Sequence, residues 1–147
     1  MPRTWITLGI RYLFLDWLHC LVCLLVSIKP MVIKALVVDE ELTITAMPVV
    51  LKVLKYENNY SIWVNVLVST KINEPRPGPQ CNPVIVMGRP AKAERIEVVN
   101  DGVLRLKLGD GSEKEVIIKP TNISFYPDYR DQFCSPCIVL NWSVFWR

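Results

Sequence analysis

Four of the five cysteines stand in two C-x-x-C pairs, Cys20/Cys23 and Cys134/Cys137, and Cys81 is left over. Two such pairs are the ligand set of a four-thiolate zinc site, with each sulfur about 2.3 Å from a tetrahedral metal. Here 110 residues separate the pairs, and the first lies in the most apolar stretch of the chain. A shared metal would require that stretch to dock on the rest, so the four cysteines are metal candidates only and no cofactor is expected. Cys134-Ser135-Pro136-Cys137 has the spacing of a redox dithiol, whose reactivity comes from a helix amino terminus that lowers the thiol pKa. The next residues, Ile138 to Trp146, alternate like a strand instead. The expectation is a local Cys134–Cys137 disulfide or two free buried thiols.

His19 is the only histidine, and it sits in the apolar stretch, away from any nucleophile of the body. Imidazole-assisted nucleophilic catalysis would have to work there. The carboxylates Asp39-Glu40-Glu41 fall at a turn, where such groups are ordinarily solvated. No phosphate-binding glycine loop, HExxH or EF-hand pattern occurs. The chain reads as a non-enzyme without a small-molecule substrate.

Half of the fourteen aromatic residues lie in the last 23 positions. Trp142 and Trp146 share the inward parity of their strand and are expected to fill the core. Tyr126, Tyr129, Phe133 and Phe145 would then form an exposed patch suited to protein contact.

These residues must be positioned by two unlike segments. Residues 5–28 are apolar and close on Lys29-Pro30. As a helix they would span about 36 Å, enough for a bilayer core of about 30 Å. Ten Leu, Ile, Val or Phe residues between Leu13 and Ile28 offset the insertion cost of Asp16. At helical spacing, Tyr12, Asp16, His19 and Cys23 form one narrow polar seam, suited to pairing with another helix. Residues 1–30 are therefore expected to be a single-pass membrane anchor, contacting the lipid bilayer through 5–28. A packed soluble helix or a non-native extension ahead of Met31 is the alternative.

From residue 31 the period becomes two. Leu42, Ile44 and Ala46 alternate with threonines, Ile62 to Val68 with polar residues and Trp63, and Leu104 to Leu108 with Arg105 and Lys107. Asn58-Asn59 should close a hairpin. Asn100-Asp101-Gly102 and Gly109-Asp110-Gly111 should join three strands into a meander, because these residues tolerate positive φ. Residues 71–83 hold four prolines and read as a loop crossing between layers. With Val32–Val38 and Val84–Met87 the count is about eight strands. The fold class is all-β, a sandwich or small barrel of about eight mostly antiparallel strands over 31–147, preceded by one apolar helix.

The charge is balanced. The first thirty residues hold Arg3, Arg11 and Lys29 against Asp16, leaving 14 of 17 basic and 13 of 14 acidic residues to the body. Such interleaved charge does not make the dense positive face that displaces counterions from phosphates. The leading expectation is a membrane-anchored β domain acting on a protein partner or its own copy, structurally or adhesively. The alternative is a soluble small β-barrel that joins a larger complex or binds nucleic acid through Arg105, Lys107 and Trp63.

Overall fold

The computed structural model describes residues 23–57, 59–82 and 88–147. Eight strands occur among them: β1 (Cys23–Lys29), β2 (Met31–Val37), β3 (Glu40–Tyr56), β4 (Asn59–Ile72), β5 (Arg95–Asn100), β6 (Gly102–Leu108), β7 (Glu113–Arg130) and β8 (Pro136–Trp146). They form two antiparallel four-stranded sheets, ordered β1-β6-β7-β8 and β4-β3-β2-β5. The all-β expectation holds, and among the described residues no helix is long and apolar enough to cross a membrane.

The two sheets are halves of one ribbon. β1 and β2 are separated only by Pro30, and β5 and β6 only by Asp101. β1 pairs with β6 up to Lys29–Val103, and β2 takes up β5 from Val32–Asn100 in the same register. The segment 23–37 is thus one bent strand paired with a second, 95–108, right through the corner. Proline has no N–H to give to a ladder, which suits it to the point where the chain leaves one sheet for the other. Register shifts flank the bend, at Leu25/Ser27 and at Val32/Ile33. Such bulges sharpen local bending and let strands switch sheets.

This geometry corrects two expectations. Residues 23–28 of the expected spanning helix are strand β1, paired to β6, and Cys23 of the helical seam starts that strand. The remainder, with Tyr12, Asp16, His19 and Cys20, lies outside the described residues. Second, Asn100-Asp101-Gly102 is a sheet-to-sheet corner and closes no hairpin. β5 and β6 spend their ladders on the same long partner strand and not on each other. The glycine is needed for space: a Cβ at Gly102 would lie 2.7 Å from Ile118 Cδ1 and 3.3 Å from the backbone nitrogen of Met31.

Other turns obey their local chemistry. Gly111 adopts φ 89° in the β6–β7 hairpin, and Leu108 N–H donates to the Ser112 carbonyl at 2.8 Å. In the β3–β4 hairpin Tyr56 pairs with Asn59, so Asn59 is already strand, and Glu57 (φ 53°) takes the left-handed position. The β2–β3 turn puts Val38 (φ 46°) and Asp39 (φ 65°) in the left-handed region. A β-branched residue there is strained, and surrounding structure must hold it. Pro48 lies inside β3 because β2 stops pairing at Ala46, beyond which only β4 accompanies it. The expected strand Val84–Met87 falls outside the described residues.

The period-two residues meet between the sheets. Met31, Ile33, Ala35 and Val37 of β2 and Leu42, Ile44 and Ala46 of β3 pack with Val66, Ile118, Phe125 and Leu140. Leu104, Leu106 and Val116 form a second cluster, with Val50, Ile62 and Val64 packed against it. Trp142 packs on the main core as expected, whereas Trp146 is 42% exposed.

Gly102→Ala should destabilise the fold by about 2–3 kcal/mol through overpacking at the corner, read as a lower urea midpoint. An unchanged midpoint would mean that Ile118 and Met31 do not crowd this site.

Candidate functional site

Two features stand out beyond the core: a long edge strand paired on one side among the described residues, and a polar cluster at one end of the sandwich. The edge strand in question is β4, one of four at the sheet ends, whose only neighbour among the described residues is β3. It contains no proline, and over its 14 residues the only Asp, Glu, Lys or Arg is Lys71. Its outward side carries Trp63, 57% exposed, and Leu67, 61% exposed, with Leu67 paired to Met47 of β3. Lys52 Nζ lies 5.9 Å from the Trp63 ring centre, and Leu51, beside it at the β3 bulge, is also exposed. Natural sheets usually blunt such edges with charge, proline or cover. At its first turn Tyr60 donates its hydroxyl proton to Asp110 of the β6–β7 turn. Asp110 also accepts from Ser112, from the hydroxyl at 2.6 Å and the N–H at 2.9 Å. The Ser112 and Tyr60 bonds hold the Asp110 carboxyl well below the usual carboxylate range, and the Asp110 bond pushes the Tyr60 phenol up. Near the other end of β4 the Ser135 hydroxyl donates to the Thr70 carbonyl at 3.4 Å.

The polar cluster is centred on a buried ion pair. Arg130, the last residue of β7, and Glu40, the first of β3, are each 6% exposed. Arg130 donates to both carboxylate oxygens, at 2.8 Å and 2.7 Å, a fork-on-fork arrangement. These bonds raise the Arg130 pKa further above its ordinary value. Glu40 is therefore no solvated turn carboxylate, as the Asp39-Glu40-Glu41 run suggested. Arg76 Nε approaches the same carboxylate at 3.9 Å.

The proline-rich segment is laid along this end of β7. Arg130 N–H donates to the Pro79 carbonyl at 2.7 Å, Cys81 N–H to the Arg130 carbonyl at 2.9 Å, and Arg76 N–H to the Cys134 carbonyl at 3.2 Å. Gly78 lets the two chains approach, since a Cβ there would come within 2.9 Å of Arg130 Cγ. A Cys81–Cys137 disulfide with a Cα–Cα distance of 6.0 Å then ties the loop to β8. Closing 56 residues of chain limits the unfolded state by about 4 kcal/mol on the loop-entropy account. The expected Cys134–Cys137 bridge is not formed. Cys134 is free and takes φ 63° in a loop held by Asp131, whose carboxylate accepts the N–H groups of Phe133 and Ser135.

The expected aromatic patch divides. Tyr126 and Tyr129 line a cavity beside the ion pair, shared with Val38, Arg76, Arg89 and Arg130. Phe133 is exposed in the β7–β8 loop. Phe145 is exposed near the far end of β8, nine residues beyond its start and so about 30 Å away along the strand. Among the described residues no group of His, Cys, Asp and Glu is placed to hold a metal, and Cys134 and Cys137 are the free and bonded thiols just described. Arg105, offered for nucleic acid, faces Glu113 at 3.2 Å and Glu115 at 4.0 Å, so its charge is already answered. Sequence reasoning missed Glu40 and Arg130 because 90 residues separate them and nothing local marks either as buried. No family model matches the chain, and no curated protein or solved structure matches it.

Glu40→Gln should cost about 3–5 kcal/mol, because it leaves the Arg130 charge buried and uncompensated. The pair Glu40→Leu with Arg130→Met should lose less than either single change. Chemical denaturation of the two single changes and the double change tests this, and a double loss equal to the sum of the single losses would show that the pair is not coupled.

Proposed function

We propose that this chain is a non-enzymatic β domain that acts by protein–protein contact, and that its contact element is the free edge of β4 meeting the β4 of a second copy. The observation that carries this reading is the combination in β4 of length, near-absence of charge and outward apolar side chains. An antiparallel pair of identical edges related by a two-fold axis at Asn65 sets Trp63 of one copy opposite Leu67 of the other, twice. It sets Val64 opposite Val66, also twice, and brings no like charges together over residues 61–69. Aromatic–aliphatic cross-strand pairs of this kind stabilise sheets, and a two-fold makes the interface self-complementary.

The Val66 amide supports the same edge. It donates to the Asn65 side chain at 2.8 Å, so this donor is not spent on β3. Pairing would hand it to a carbonyl of the second copy. The tie to a lipid surface rests on sequence alone, now on the apolar residues 5–22 ahead of β1.

The two-fold can be tested by charge exchange at Asn65. Sedimentation of the native chain should show a concentration-dependent dimer. Asn65→Lys or Asn65→Glu alone should be monomeric, because each sets like charges across the axis, while an equimolar mixture should pair again. A native chain that stays monomeric, or a dimer indifferent to both charges, contradicts the reading.

A further inference from the structure

We infer that the cavity beside the Glu40–Arg130 pair binds a small organic monocarboxylate, the size of an amino acid or a sugar acid. The cavity has a volume of about 270 Å³ and gathers residues from four separate parts of the chain: the β2–β3 turn with the start of β3, Arg76 of the proline-rich segment, Arg89 and Ala91 ahead of β5, and the end of β7. That is just below the range of about 300–1,000 Å³ for drug-sized ligands and suits a smaller molecule. It lies at the end of the sandwich, is built from no residue of β4, and stands independently of the dimer reading.

The charge of the lining selects the ligand. The lining sets Arg76, Arg89 and Arg130 against Glu40 and Asp128, a surplus of one positive charge, with Glu40 shared between Arg130 and, at 3.9 Å, Arg76. Arg89 and Asp128 have no ion pair among the described residues. A guanidinium carries five N–H donors, and Arg130 uses two of them on Glu40. The other three have no hydrogen-bond partner among the described residues, although the side chain is 7% exposed. Buried donors left unmade are costly, and a carboxylate is the planar acceptor that fits a guanidinium fork. A monoanion matches the surplus charge, whereas a dianion would meet the carboxylates of Glu40 and Asp128. Tyr126 and Tyr129 add ring surface for the body of the acid and hydroxyls for its polar groups.

Titration of the full chain with glucuronate, followed by amide NMR at constant ionic strength, tests the site. Saturable shifts are expected at Arg76, Arg89 and Tyr126 to Arg130, with glucose inert and sulfate weaker than glucuronate. Arg89→Gln, at an exposed position, should weaken binding about tenfold by removing one charged hydrogen-bond donor. Asp128→Asn should tighten it. The inference is overturned by the absence of saturable shifts, by glucose or sulfate binding as well as glucuronate, or by Arg89→Gln binding unchanged. None of these outcomes bears on the association state of β4.

Discussion

The pairing of two long strands through a shared corner is the constraint on which the rest of the molecule depends. Segment 23–37 and segment 95–108 keep one register on both sides of the bend at Pro30 and Asp101. Because they do, β3 and β4 can extend the ladder from β2, while β7 and β8 extend it from β6. Strands in ribbon order become two facing sheets, and the alternate apolar residues of each find one another across the gap. Remove the corner and the same strands would make an open ribbon with one wet and greasy face, which is unstable in water.

Folding a ribbon over itself leaves its ends loose, and the chain fastens them by polar means. At one end Tyr60 on β4 is bonded to Asp110 in the β6–β7 turn, linking the two sheets. At the other end Glu40 and Arg130 join β3 to β7, and the Cys81–Cys137 bridge holds the crossover against β8. A buried ion pair adds little net stability against an apolar pair of the same shape, but it is intolerant of losing one partner. It therefore specifies how the ends meet more than it strengthens the meeting. The same convergence of turn, crossover and β7 makes the arginine-lined cavity. Meanwhile β4, at one end of its sheet, has β3 as its one neighbouring strand among the described residues.

Much of the fold is legible residue by residue. The alternation in Leu42–Ala46 and Leu104–Leu108 locates buried faces, and the glycines around Asp110 locate a true hairpin. Where local signals mislead, a long-range partner has overridden them. Cys23 to Ile28 are apolar enough for a helix, yet β6 recruits them as an edge strand. Asn100-Asp101-Gly102 has the composition of a tight turn, yet the neighbouring strand runs on past it and makes it a corner. Cys134 and Cys137 are near in sequence, but β8 presents Cys137 to the crossover segment and to Cys81. The ion pair and its cavity are invisible in the sequence for the same reason, since their members come from residues 38–40, 76, 89–91 and 126–130.

The most direct test of the folded ribbon is the pattern of cross-strand proton contacts in the full chain by NMR. The folded ribbon predicts contacts for Ile28–Leu104 and for Ile33–Val98 in the same folded species, one on each side of the corner. Contacts between Val99 and Val103 across a hairpin at Asp101, with those two pairs missing, would contradict it.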